Sequence, residues 1–232
     1  MKKLPALALF ALSTACQGTY DKSEMSIPSA EEVVYYLQVP EAKSRESVIS
    51  IDVILSDASV GSGTGAYVRY KDENLIITAA HVVEEALIIL ISSHGQVAEA
   101  TVILLDKDRD LAILRVPTLD NAKPIRLVPT SARSLTIGED LLYTGFPNRF
   151  GPLTIRGNIA AFYGTSVIIM QSYAWSGASG SLVLDRSGNV VGILTAIEIL
   201  QAGKGQLINN PNIVYVNVID KQFLDVLDDI LD

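Results

Sequence analysis

Three residue types stand in an order that can do chemistry: a histidine closing Ile77-Thr78-Ala79-Ala80-His81, an aspartate opening Asp110-Leu111-Ala112-Ile113-Leu114, and a serine between glycines in Gly177-Ala178-Ser179-Gly180-Ser181. A serine hydroxyl is a weak nucleophile near neutral pH and needs a base within hydrogen-bond reach. Histidine suits that role, because an unperturbed pKa of about 6.5 lets it take a proton and return it. An aspartate on the far side of the ring fixes its tautomer and stabilises the imidazolium. Glycines beside the serine let backbone approach a reacting carbonyl, with the amides of Gly177 and Ser179 aimed at the oxyanion. These are the groups of acyl transfer through a nucleophilic triad in the order His…Asp…Ser.

Three acids compete for the orienting position. Asp106, Asp108 and Asp110 all precede the same apolar run, and Asp110, which opens it, is best placed to lie under a histidine. His94, in Ser92-Ser93-His94-Gly95, has turn composition and reads as solvated. A hydrolase built on a Gly-x-Ser-x-Gly elbow is excluded, since Ser181 takes the fifth place and both histidines precede Ser179, against the order Ser…Asp…His. Metal-assisted hydrolysis is excluded as well. Two histidines, one cysteine and no His-Glu-x-x-His do not make a metal site, and no cofactor is expected.

The elements that must hold these residues are strands. Ser47–Leu55, Thr64–Tyr70, Asn74–Ala79, Ala86–Ile91, Val97–Leu105 and Asp110–Val116 are short β-branched runs between turn signals. A second series follows a linker rich in Pro, Thr and Ser: Ile125–Val128, Asp140–Phe146, Leu153–Phe162, Ser166–Gln171, Ser181–Leu184 with Val190–Ala196, and Ile213–Val218. From Asp220 to Leu231, Phe223, Leu224, Val226, Leu227, Ile230 and Leu231 recur at helical spacing and predict a capping helix. The expectation is an all-β chain of two six-stranded antiparallel barrels with a C-terminal helix. His81 and Asp110 then come from the first barrel and Ser179 from the second, so the site lies in the crevice between them.

Composition supports one sizeable core. The chain has 232 residues, 49% of them hydrophobic and 19% charged, with a net charge of −8. That surface repels phosphate backbones, which disfavours nucleic acid as a partner. Lys2 and Lys3 precede an apolar run from Leu4 to Leu12, too short to span a bilayer, so residues 1–15 read as an export signal. Ala15 before Cys16 resembles a lipobox, although Ser13 stands where an aliphatic residue is usual. Two readings stay open: a lipid on Cys16 that ties the protein to a membrane, or an ordinary signal with an incidental cysteine. Cys16 is the sole cysteine, so no intramolecular disulfide can form, which suits a bacterial envelope. Residues 16–45 read as a tether, with an apolar patch at Val33–Leu37 that packs on the domain or on a neighbouring subunit.

The chain resembles trypsin-fold serine proteases, and within them the protease domain of bacterial Deg/HtrA endopeptidases. The resemblance runs through Gly61-Ser62-Gly63-Thr64-Gly65, Thr78-Ala79-Ala80-His81-Val82-Val83, Asp110 to Leu114, Ile137-Gly138-Glu139, Tyr143 to Pro147, Gly177 to Ser181 and Gly188 to Ile197. It makes residues 46–232 the protease domain. It implies His81 as general base, Asp110 as its carboxylate, Ser179 as nucleophile and the Gly177 and Ser179 amides as oxyanion hole. It further implies that Thr195 supports the aspartate and that Leu194 to Ile197 pairs with substrate backbone as an added strand. Ala178 departs from the family's usual Asn or Asp, and Ser181 from its second glycine. The segment after the last strand is long enough for one helix, so no PDZ domain is expected.

Two functions follow, of different classes. One is a serine endopeptidase acting on exported or misfolded proteins in the bacterial envelope, with protein or peptide substrates. The alternative is a catalytically silent trypsin-fold domain that binds envelope partners. No acid lies in Gln171–Ser176, so cleavage after Lys or Arg is not expected. Small or medium apolar residues before the scissile bond are, with Tyr173, Ala174, Leu194 and Ala196 as the candidate walls.

Overall fold

The computed structural model describes residues 39–131, 134–202 and 206–232, with the backbone alone over 198–202 and 206–209. The export signal, Cys16 and most of the tether lie outside the described residues.

The first barrel is built from β1 (Val48–Leu55), β2 (Val60–Tyr70), β3 (Glu73–Thr78), β4 (Ala86–Ser93), β5 (Gln96–Asp106) and β6 (Leu111–Arg115). Alternation builds it: Ile49, Ile51 and Val53 on β1 point inward while Asp52 and Ile54 are partly exposed. The strands run in the order β1-β4-β5-β6-β3-β2, and antiparallel pairing of β1 with β2 closes the ring. The second barrel closes through β8 (Asp140–Gly145), β9 (Leu153–Tyr163), β10 (Val167–Gln171), β11 (Leu182–Asp185), β12 (Val190–Ala202) and β13 (Gln206–Val218) in the order β10-β13-β12-β11-β8-β9. Two six-stranded antiparallel barrels and a C-terminal helix are thus the architecture the sequence predicted.

One strand changes sides. Ile125–Val128, expected in the second barrel, forms the two-residue β7 (Ile125–Arg126), which pairs in parallel with β2. The second barrel still reaches six, because β11 and β12 are separate strands joined at the Arg186–Asn189 turn.

Among the described residues the first element is helix α1 (Val39–Ser47), so the last residues of the span read as tether belong to the folded unit. Polar contacts seat it on the second barrel: Ser44 Oγ donates to Thr144 Oγ1 at 2.7 Å, Arg45 donates to the Pro152 carbonyl at 2.8 Å, and Glu41 pairs with Arg156. At the other end α3 (Lys221–Leu231) is capped by Asp220, which accepts from Phe223 N–H at 2.9 Å. Phe223, Leu224 and Leu227 join a core that runs from the first barrel to Leu142, Leu182 and Ile193 of the second. The helix and both barrels thus share one hydrophobic cluster.

Candidate active site

His81 sits on a four-residue helix, α2 (Ala80–Val83), immediately after β3. Ala79, Ala80, Val82 and Val83 are all buried in the first core, which leaves the imidazole as the one side chain of this turn directed outward. Asp110 ends a turn before β6 whose N–H bonds back to the Lys107 carbonyl at 3.3 Å. Both of its carboxylate oxygens address residue 81. Oδ1 accepts from the backbone N–H at 2.8 Å and Oδ2 lies 2.8 Å from Nδ1. That pairing puts the proton on Nδ1 and turns Nε2 outward as the acceptor.

The competition among the three acids is resolved by contact. Asp106 takes Arg109 instead, accepting from its N–H at 3.0 Å and its guanidinium at 2.8 Å, and Asp108 is exposed on the turn. Asp110 adopts φ +51°, the left-handed region that Asp tolerates better than most residues at a cost of about 1–2 kcal/mol. Its two bonds to residue 81 offset that strain. Across the crevice, Asn217 on β13 donates its side-chain amide to the Arg109 carbonyl, pinning the acid turn from the second barrel.

Ser179 lies in the loop between β10 and β11, and Thr64 of the first barrel organises that loop. Thr64 N–H donates to the Ser179 carbonyl at 2.8 Å, and its hydroxyl donates to the Gly177 carbonyl at 2.7 Å while accepting from Phe146 N–H at 3.0 Å. The Thr64 carbonyl in turn accepts from the Thr78 hydroxyl at 2.7 Å, three residues before His81. A continuous hydrogen-bonded path thus joins the histidine strand to the serine loop. Ser179 Oγ and the imidazole are not themselves hydrogen-bonded in this structure.

Carbonyl directions in the loop decide where its amides point, because C=O and N–H of one trans peptide face opposite ways. The Ser176 carbonyl is held by Asn148 N–H at 2.7 Å, so Gly177 N–H faces the other way. The Ala178 carbonyl is held by Ser181 N–H at 3.1 Å and Ser181 Oγ at 2.7 Å, so Ser179 N–H is likewise turned out. Neither amide has an acceptor among the described residues. They are the two expected at an oxyanion hole.

Gly177 needs to be glycine: its φ is +93°, and a Cβ would stand 2.6 Å from the Phe146 carbonyl. The two departures from the family pattern account for each other. Ala178 has no polar side chain to order the loop and is fully buried in the second core, while the hydroxyl of Ser181 binds the Ala178 carbonyl in its place.

A cavity of about 150 Å³ beside Ser179 is lined by Trp175, Ser176, Leu194, Ala196 and Ile197. Tyr173 does not reach it but stacks on Trp175, with ring centroids 6.1 Å apart and an interplanar angle of 21°. Ala174 is corrected from wall to core, being buried with its N–H on the Pro211 carbonyl at 2.9 Å. Thr195 is corrected too: its hydroxyl donates to the Tyr215 carbonyl at 3.4 Å and not to Asp110. The β-bulge between Leu194 and Ala196 aims it there. Leu194 lines the cavity, but its N–H and carbonyl are already bound by Ser181 and Gly180, so backbone open to a substrate strand starts only after it.

Thr64, Ser181 and Asn217 were not assigned these roles by the sequence. Thr64 lies within the Gly-Ser-Gly-Thr-Gly run and Ser181 at a departure from the family pattern, whereas nothing in the order of residues links Asn217 to Arg109. Among the described residues no group of three or more His, Cys, Asp or Glu could hold a metal ion.

Two closed barrels with a histidine, an acid and a serine loop at their junction define a trypsin-like fold. Residues 63–193 match the family model described as the trypsin-like peptidase domain, and the chain belongs to that family. Among solved structures it is similar to the HtrA-type protease AlgW with a tripeptide (TM-score 0.66, 21% identity, covering 88% of this chain and 64% of that one). It is also similar to the Rv3671c protease from M. tuberculosis in its active form (0.66, 24%, 83% and 84%) and to a serine endoprotease from Yersinia pestis (0.63, 21%, 88% and 67%). The chain spans less than two thirds of the length of AlgW. No curated protein matches the sequence.

Proposed function

We propose that this protein is a serine endopeptidase. The observation that carries the reading is the double contact of Asp110 with residue 81, set at a junction where the amides of Gly177 and Ser179 stand unengaged. In this reading Ser179 Oγ attacks the scissile carbonyl as His81 Nε2 takes its proton. Asp110 holds the ring and stabilises the imidazolium, and the two amides receive the oxyanion. The imidazolium then returns its proton to the leaving amine, and water repeats the cycle on the acyl-enzyme. The Ser179–His81 hydrogen bond, absent in this structure, forms as substrate fills the cleft.

The 150 Å³ cavity beside Ser179 is lined mostly by apolar side chains, Trp175, Leu194, Ala196 and Ile197, and by no acid. Small or medium apolar residues such as Ala and Val therefore precede the scissile bond. In a peptide library they dominate the cleavage profile; a profile led by Lys and Arg contradicts this pocket assignment.

The substrates are exported or misfolded proteins of a bacterial envelope, where the protein is held by a lipid on Cys16. Lys2, Lys3 and the apolar run to Leu12 support export, and Ala15-Cys16 supports the lipid. Mass spectrometry of the mature N-terminus finds a diacylglyceryl mass on Cys16, whereas an unmodified terminus at or beyond that residue removes the anchor.

A second reading, a silent trypsin-fold module that binds envelope partners, draws on the missing Ser179–His81 hydrogen bond and on Ala178. Active-site labelling separates the two.

A further inference from the structure

A second cleft, of about 400 Å³, shares no lining residue with the one at Ser179. It opens where α1, the linker that carries β7 and the β11–β12 turn come together, and Lys43, Glu46, Lys123 and Arg126 supply its charge. Glu46 pairs with Lys123 at 2.7 Å. Lys43 and Arg126 have no ion-pair partner among the described residues. The cleft therefore keeps two uncompensated positive charges on a chain whose net charge is −8. The Lys43 stem is lodged over the turn, where a Cβ on Gly188 would lie 3.0 Å from Lys43 Cδ.

One wall of this cleft is an open strand edge. β7 is the last strand of its sheet, and on its inner side Arg126 stands in register with Arg69 of β2 while Leu127 N–H donates to the Arg69 carbonyl at 2.8 Å. Alternation along a strand then turns the N–H and carbonyl of Arg126 away from β2, where no described strand borders them. Pro124, Ile125, Val128 and Val190 give the same cleft an apolar lining.

An exposed donor–acceptor pair, two cations and apolar walls match one chemistry. We propose that this cleft binds an extended acidic peptide segment, which adds to the β7 edge through Arg126 while its carboxylates meet Lys43 and the Arg126 guanidinium. Strand addition supplies the main-chain bonds and the cations select the side chains. The two positive charges attract the carboxylates of the segment by charge, which makes the attraction sensitive to salt. Cleavage chemistry plays no part in this proposal.

The test uses the full chain carrying Ser179→Ala, so that no peptide is cut, and fluorescence anisotropy of a labelled alternating Ser-Glu decapeptide. That peptide binds and weakens with added salt, whereas an alternating Ser-Lys decapeptide does not bind. Lys43→Gln with Arg126→Gln weakens binding by about tenfold or more, and the charge-conserving Lys43→Arg with Arg126→Lys retains it. N-methylation of alternate amides of the Ser-Glu peptide abolishes binding. Equal binding of the Ser-Lys peptide, full binding by the glutamine pair, loss in the charge-conserving pair, or retention by the N-methylated peptide overturns the proposal.

Discussion

One carboxylate holds both the imidazole Nδ1 and the backbone N–H of His81, and that economy has a consequence for mutation. Asp110→Asn keeps the size of the side chain but presents an amide to Nδ1, favouring the wrong tautomer and removing the charge that stabilises the imidazolium. Peptide turnover falls by about 10⁴-fold. Asp106→Asn leaves the ring untouched, since Asp106 binds Arg109, and turnover falls by less than about tenfold. Steady-state kinetics on the two variants checks this, and the reverse ranking would assign the wrong acid. The contact of Asp110 with His81 was legible because each of the two sits in a short patterned run next to a strand. Thr195 was misplaced because a bulge rotates it, and bulges leave no mark in hydrophobic alternation.

Among the elements, the barrel strands were legible and α1 was not. Val39–Ser47 reads Val-Pro-Glu-Ala-Lys-Ser-Arg-Glu-Ser, with no apolar stripe, because its seat on the second barrel is made of ion pairs and hydroxyl contacts. Helical periodicity has nothing to detect there, although Pro40 in the first turn is consistent with a helix start. β7 was misassigned for a related reason: a run as short as Ile125-Arg126-Leu127-Val128 does not say which sheet it will join. The C-terminal helix, with a clear apolar face, was found. It is tied to β2 by Tyr70, whose hydroxyl donates to Asp228 at 2.7 Å, and by Lys71, 3.0 Å from the same carboxylate. Burial, then the bond to Asp228, push the Tyr70 phenol from 10 up to about 12. A group whose folded pKa is raised stabilises the fold fully below its unfolded value and loses that contribution as pH climbs through the folded one. Asp228 is held below the usual carboxylate range, first by the Tyr70 hydroxyl and then by Lys71, so its share is present above the unfolded value and lost on acidification. Melting temperature therefore falls between pH 10 and 12 in the wild type, and less in Tyr70→Phe. Identical slopes for the two proteins in that window would mean the tie contributes nothing.

On the scale of the whole molecule, the two barrels meet at a junction that no single barrel could build. The first contributes His81, Asp110 and Thr64; the second contributes Ser179, its loop and Asn217. Thr64 reaches over to fix the carbonyls of Gly177 and Ser179, and Asn217 reaches back to fix the turn of Asp110. Each bond of this kind contributes about 1 kcal/mol, so the clamp acts by direction more than by strength. Sequence order predicted that the barrels would share a site, but contacts more than a hundred residues apart, such as Arg109 with Asn217, have no local signature. The central claim is that these parts converge on one activated serine. A fluorophosphonate probe reads that convergence directly, since it phosphonylates a serine hydroxyl only where a base and an oxyanion site attend it. The wild-type chain incorporates the probe at Ser179, and His81→Ala and Ser179→Ala do not. An unlabelled wild type, or labelling that survives Ser179→Ala, would contradict the account.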